Sequence, residues 1–259
     1  MSRWCFLIIL LSLFQICLLS PPLSPCPSHS LSPQLCLDDE RSALLQLKLD
    51  DERSALLQLK QKHFYVVPYS NYDPLKSWKP DIDCCYWKRI TCNSTTGHVL
   101  RLELSNSSLS GSIHSKNSLF HLHHLQMLIL SYNDFSKQIP SQISQLTNLV
   151  YLDLSVNNFG GQIPSEMSQL TNLVHLDLSF NGWYNQFQIS YHTIPQLDIP
   201  NLREPVRNLS SLSELYLDGV NLSDKKNRGW CHHLSSSLPN IQMLTMGYCS
   251  LIGPIDASI

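Results

Sequence analysis

The sequence has no basic tract: 18 Lys and Arg stand against 20 Asp and Glu, for a net charge of -2, and no run of Lys and Arg exceeds two residues. That removes the electrostatic footing for binding nucleic acid or another polyanion. Also missing are GxSxG, HExxH and phosphate-loop patterns, the common arrangements for nucleophilic, metal-assisted and phosphoryl chemistry, so no enzyme is expected. No apolar run reaches the about 20 residues that cross a bilayer as a helix. The run after Arg3, from Trp4 to Leu19, is broken by Ser12 and Gln15 and leads into a Pro/Ser-rich stretch. This is the pattern of a secretory signal peptide, assigned to residues 1–30. Pro21 would block a cut after Ser20, whereas Ser28 and Ser30 set small residues three and one positions before a cut after Ser30.

What is present is apolar, with 43% hydrophobic residues, enough for a core in a chain of 259 residues. Removal of the leader would discard Cys5, Cys17 and Cys26 and leave Cys36, Cys84, Cys85, Cys92, Cys231 and Cys249, an even set of the kind an oxidising compartment favours. Four sequons, at Asn93, Asn106, Asn208 and Asn221, point along the same secretory route.

Leucines recur with a period of 24 residues. PSQISQLTNLVYLDLS, starting at Pro140, returns as PSEMSQLTNLVHLDLS at Pro164. The frame LxxLxLxxNxL of a leucine-rich repeat runs through Leu125, Leu128, Leu130 and Asn133, then Leu149, Leu152, Leu154 and Asn157, then Leu173, Leu176, Leu178 and Asn181. Weaker units at Val99–Leu109, Leu212–Leu222 and Ile241–Leu251 bring the count to six coils. The expected fold is an α/β solenoid in which each LxL is a strand of one parallel concave sheet, and stacking supplies the core that no coil has alone. Residues between the leucines then line up in columns: Arg101, Met127, Tyr151, His175, Glu214 and Met243; Glu103, Ile129, Asp153, Asp177, Tyr216 and Thr245; and Asn106, Tyr132, Val156, Phe180, Gly219 and Tyr248.

Aromatic anchors among hydrogen-bonding groups suit recognition of a peptide, protein or glycan. Tyr132, Tyr151, His175, Phe180 and Tyr216 are the candidate contacts. Asp153 and Asp177 join them, although their place in the repeated LDLS phrase favours a scaffold role. His121, His123, His124, His232 and His233 read as outer-face residues, since no acidic or cysteine partner stands at a familiar metal spacing, and no metal or cofactor is expected. Residues 182–211 break the rhythm and read as an insertion on the side or concave rim, equally describable as a degenerate coil.

Before the coils comes a cap, residues 31–96, that would cover the open end of the solenoid. It contains LDDERSALLQLK twice in succession, at 37–48 and 49–60. Twelve helical residues advance about 18 Å and three turns plus about 120°, so both copies cannot cover the first coil with one face. Either the N-terminal copy strays and Cys36 stays unpaired, or the first copy packs and the second bulges before Phe64.

The series Cys36, ERSALLQLK, Ser77-Trp78, Asp83-Cys84-Cys85-Tyr86-Trp87 and Thr91-Cys92 resembles the N-terminal cap of plant extracellular leucine-rich repeats, and Phe159-Gly160-Gly161-Gln162-Ile163-Pro164 their GxIP coil. With the region from Glu214 to Ile259, the chain is similar to plant leucine-rich-repeat receptor-like proteins of the wilt-resistance type, in the N-terminal part of the ectodomain. That resemblance implies bridges Cys36–Cys84 and Cys85–Cys92. It also favours Cys231–Cys249, against the simpler reading of Cys249 as a buried thiol at an Asn position. Arg89 replaces the family's Gly in WKG, which would strain a tight turn. The resemblance further implies ligand recognition at the cell surface in defence or developmental signalling, a co-receptor kinase partner, and a membrane span beyond Ile259, so residues 97–259 are expected to be an incomplete repeat array. A secreted inhibitor of microbial wall-degrading enzymes and a truncated remnant are the competing expectations.

Overall fold

The structure is a computed structural model describing residues 50–67, 72–182 and 196–251. The expected signal peptide, Cys36, the first dodecapeptide copy, most of residues 182–195 and the stretch after Leu251 lie outside the described residues.

Six strands, Val99–Glu103, Met127–Ile129, Tyr151–Asp153, His175–Asp177, Glu214–Tyr216 and Met243–Thr245, pair in parallel in chain order. Ile90–Cys92 adds an antiparallel edge next to Val99–Glu103. The central leucines Leu102, Leu128, Leu152, Leu176 and Leu215 are sealed from solvent, as are Leu104, Leu130, Leu154, Leu178 and Leu217 two residues on. Alternation along each strand thus sends the leucines inward and leaves the residues between them outside. The registers Arg101↔Met127↔Tyr151↔His175↔Glu214↔Met243 and Glu103↔Ile129↔Asp153↔Asp177↔Tyr216↔Thr245 are the two strand columns expected from the repeat.

A second, four-stranded sheet follows behind the first: Phe64–Val66, Leu109–Ser112, Asp134–Lys137 and Asn158–Phe159. Its first pair is antiparallel and brings Phe64 opposite Gly111, where a Cβ would meet the His63 carbonyl oxygen at 2.1 Å. Glycine is required there by close approach as well as by its φ of +145°. Short 3₁₀ turns, Ser118–His121, Ser141–Gln145 and Ser165–Gln169, close the coils at the back.

Buried asparagines stitch the coils together. Asn157 Nδ2 donates to the carbonyls of Leu130, Leu154 and Ser155, and its Oδ1 accepts the Phe135 N–H. Asn133 and Asn181 repeat this arrangement one coil earlier and one later. Each side chain satisfies backbone groups that the turn out of the strand leaves unpaired in the interior.

From Gln196 the supposed insertion is already part of a coil. Leu197–Asp198 pairs in parallel with Gly161–Gln162, and Leu197, Ile199, Leu202, Val206 and Leu209 are buried. The helical turn Arg203–Val206 occupies the place of the 3₁₀ turns in earlier coils and packs on Ser165–Gln169. This fits the degenerate-coil reading of the segment; the turn is helical and carries Pro205, which displaces the leucine frame.

In the cap, helical residues 50–58 run into a π-turn at Leu59–His63. The packed helix is the second dodecapeptide copy: Glu52, Ala55, Leu56 and Leu59 form one buried stripe at helical spacing. Lys60 Nζ donates to the carbonyls of Leu75 and Trp78, and Trp78 stacks on Trp87 with ring centres 5.4 Å apart. Arg89 adopts φ 73°, the left-handed conformation Gly would take, and its guanidinium donates to the carbonyls of Glu103 and Ser105.

The disulfide expectations divide. Cys85 and Cys92 are bridged. Cys84 is a buried thiol whose pKa burial pushes up to about 12, and its expected partner Cys36 lies outside the described residues. Cys231 and Cys249 are not joined either. Cys249 stands in the asparagine ladder, its thiol donating to the Leu217 carbonyl at 2.9 Å as Asn157 does to Leu130. Cys231 is buried on the helix Trp230–Ser237 beside Trp230 and Leu234.

Replacing Asn157 by Ala should lower the urea midpoint at unchanged m-value. The loss should be about 3 kcal/mol or more, since each buried polar group left unpaired costs roughly 1–3 kcal/mol.

Candidate recognition face

Three of the candidate contacts meet on the outward side of the long sheet. Tyr151 and His175, paired across adjacent strands, stack with ring centres 3.8 Å apart and planes within 4°. Tyr216 tilts against His175 at 5.3 Å from the next coil. Between them sits Glu214, which the candidate set had left out: its Oε2 lies 2.8 Å from His175 Nδ1 and accepts the Tyr216 hydroxyl at 3.2 Å. His175 Nε2 is buried and has no hydrogen-bond partner among the described residues. The missed residue was visible in the sequence as the next member of the Tyr151–His175 column.

The electrostatics follow from this packing. Burial, together with the charges of Asp153, Asp177 and Glu214, pushes the Tyr151 phenol up to about 12. The hydrogen bond from His175 holds the Glu214 carboxyl below its usual value. Asp177 is raised, first by burial and further by Asp153, against the lowering hydrogen bonds from Ser179.

Asp153 and Asp177 play the scaffold role. Each Oδ1 accepts the N–H and hydroxyl of the Ser two residues on, Ser155 and Ser179, which closes the turn out of the strand. Tyr132 and Phe180 stand apart from the stack, in the third column. There Asn106, Tyr132, Val156, Phe180, Gly219 and Tyr248 all have positive φ, between 46° and 79°. Their N–H groups from Asn106 to Gly219 donate to the next coil, so the ladder imposes a left-handed turn. Tyr132 is 59% exposed there, and Phe180 is half-buried.

Among the sequons, Asn106 and Asn208 are exposed. Asn93 Oδ1 accepts the N–H groups of Thr95 and Thr96, while Asn221 Nδ2 donates to Asp198 at 2.9 Å. A groove of about 810 Å³ at the back is lined by Ile139-Pro140, Ile163-Pro164 and Ile199-Pro200. Those Ile-Pro phrases recur in three coils, so the groove follows the solenoid period, with Lys137, Glu166 and Glu204 among the side chains that vary along it. Among the described residues, no helix is long and apolar enough to cross a membrane.

Comparison with known proteins agrees with this architecture. Residues 37–50 and 49–93 match the leucine rich repeat N-terminal domain, and residues 124–146 and 148–170 match the leucine rich repeat. The first N-terminal match begins in one dodecapeptide copy and the second in the other; only the second runs through the cap. Receptor-like protein 32 of Arabidopsis thaliana is 54% identical over 71 residues, 26% of this chain and 8% of its own length. Receptor-like protein 19 of the same plant is 43% identical over 96 residues, 34% of this chain and 10% of its own length. The chain therefore matches about a tenth of the length of these relatives. Among solved structures, the ectodomain of the Arabidopsis receptor kinase HAESA, in complex with a peptide hormone, superposes with a TM-score of 0.56 at 24% identity. That match covers 82% of this chain and 35% of the HAESA chain, and shows a shared fold.

Two outcomes are expected from the titrations. Tyr151→Phe should leave the phenolate absorbance at pH about 10.5 unchanged, because that phenol ionises only near 12 in the folded chain. For Asp177, a folded pKa raised above the unfolded value means that stability falls as pH rises between the two. Asp177→Asn keeps an oxygen for Ser179 and cannot ionise, so it should raise the melting temperature at pH about 7, with the gain vanishing in acid.

Its capped, asparagine-stitched coils carry the leucine-rich-repeat architecture, and over about a tenth of their length its sequence is similar to plant receptor-like proteins.

Proposed function

We propose that the chain is the ligand-recognition part of a cell-surface receptor-like protein, delivered through the secretory pathway, and that it binds a peptide or protein segment across the sheet at Tyr151, His175, Glu214 and Tyr216. The observation that carries this reading is the His175 ring: stacked, fixed by Glu214 at one nitrogen, and buried with the other nitrogen unsatisfied. An unpaired buried nitrogen beside two aromatic rings is costly in the unbound protein and is repaid by a ligand that supplies a hydrogen bond. Preordering by the stack and by the Glu214 contact reduces the entropy lost when a ligand binds.

The neighbouring columns fit an extended ligand. Arg101 and Glu103 form an ion pair at 2.8 Å on the first coil, and Met243 is 48% exposed on the last strand. A segment crossing the strands would therefore meet charge at one end, aromatic rings in the middle and an apolar contact at the other. Glycan recognition would use the same rings for sugar stacking. Signalling in defence or development, and a co-receptor kinase as partner, belong to this proposal through the resemblance to receptor-like proteins.

The test is binding of the secreted chain to peptide and glycan arrays, repeated with Tyr151→Ala and His175→Ala. Peptide hits on the wild type should weaken about 30-fold in each variant, the effect of losing a hot spot worth about 2 kcal/mol. Hits that persist at full strength in both variants would sink the assignment of the face, and hits confined to glycans would replace the peptide reading.

A further inference from the structure

Glu52, His98 and His124 meet where the cap helix crosses the first two coils. Glu52 comes from helical residues 50–58, His98 directly precedes the strand Val99–Glu103, and His124 lies just before Met127–Ile129. The sequence separates Glu52 from His124 by 72 positions, which is why no metal-like spacing was legible and His124 passed for an outer-face residue. In the fold, the side chains of Glu52 and His98 are 5% and 9% exposed.

The carboxylate is held in place from behind. Glu52 Oε2 accepts the Val99 N–H at 2.9 Å, which turns Oε1 toward the two imidazoles. Oε1 lies 3.5 Å from His98 Nδ1 and 3.2 Å from His124 Nδ1. His98 Nδ1 is nonetheless buried without a hydrogen-bond partner. A buried acceptor or donor left unpaired in this way calls for a cause.

Two of the three separations are close to those between donors in a metal's coordination shell. With metal–ligand bonds of about 2.0–2.1 Å in tetrahedral geometry, adjacent donors stand about 3.4 Å apart, and the two measured distances fall on either side of that value. All three donor atoms lie within 4.8 Å of one another. Two nitrogens and one oxygen select a borderline divalent ion of the zinc class over calcium or magnesium, which take oxygen.

We propose that Glu52, His98 and His124 form a binding site for a divalent transition-metal ion of the zinc class, clamping the cap helix to the first two coils. One rearrangement is needed. The two imidazoles are stacked, with centres 3.6 Å apart and planes within 11°, and parallel rings cannot both place one ion in their plane. His124, with a side chain 44% exposed, is the ring that turns, while the buried His98 stays. His121 and His123 line the same cavity, of about 670 Å³, and either one or a water supplies the fourth position. The clamp links three sequence-distant elements in a cap where Cys84 remains a thiol.

The test uses the secreted chain, freed of metal with EDTA and titrated with Co(II) and Zn(II). Four-coordinate Co(II) absorption is expected, together with a rise in melting temperature with Zn(II) that follows its concentration. His124→Gln, at a partly exposed side chain, should fold normally and weaken binding by at least about 100-fold, since even indirect supports of a metal site are worth 10–100-fold. Glu52→Gln keeps an acceptor for the Val99 N–H and should weaken binding as well. The paired substitution of His232 and His233 by Gln controls for surface imidazoles and should change nothing. The proposal fails if the wild type shows no Co(II) absorption, or if His124→Gln binds as the wild type does. It fails equally if the Co(II) spectrum carries a sulfur charge-transfer band, which would put the ion at Cys84.

Discussion

Stacking of the coils depends on the hydrogen bonds made by buried asparagines at the turn out of each strand. A coil by itself would bury polar backbone groups with nothing to answer them, and Asn133, Asn157 and Asn181 answer them across the coil boundary. Where the asparagine is missing the site is filled by other chemistry: Cys249 offers its thiol, and Asn227, from outside the repeat frame, accepts the Leu202 N–H and donates to the Ile199 carbonyl. The ladder is strong enough to hold even Val156, a β-branched residue, at φ 50°.

That rigidity is what would let the outward sheet serve as the proposed recognition surface. Leucines and asparagines are committed to the interior, and Asp153 and Asp177 to their own turns, which leaves the intervening columns as the places where chemistry is open to variation. On the Tyr151 column this yields a stacked pair locked by a carboxylate from the fifth coil, Glu214. The geometry comes from parallel pairing, which sets residues of successive coils about 4.8 Å apart, within ring-stacking reach. Repetition also makes the groove at the back, where Ile-Pro phrases of three coils line up.

The cap obeys a different rule. Two identical dodecapeptides carry identical local propensity, so nothing local distinguishes them, and the copy adjoining Phe64 packs on the coils. Position in the chain decides: the second copy leads directly into the strand Phe64–Val66, which Gly111 admits to the back sheet, and Lys60 is within reach of Leu75 and Trp78. Glu52 thereby acquires its place against Val99, His98 and His124.

By itself the sequence determined the solenoid, the strand registers and the membership of the binding columns, because a 24-residue period allows one way to bring each leucine inward. The resemblance to plant leucine-rich-repeat caps implied as well that Cys85 and Cys92 are bridged and that Arg89 sits where Gly is usual. Only the tertiary structure decided which dodecapeptide packs, that Cys249 serves the ladder instead of a bridge to Cys231, and that residues from Gln196 rejoin the coils through a helical turn. It alone joined Glu214 to His175 and Glu52 to His98 and His124. Those outcomes rest on contacts between residues tens of positions apart, which depend on how the coils stack and carry no period for a linear reading to detect.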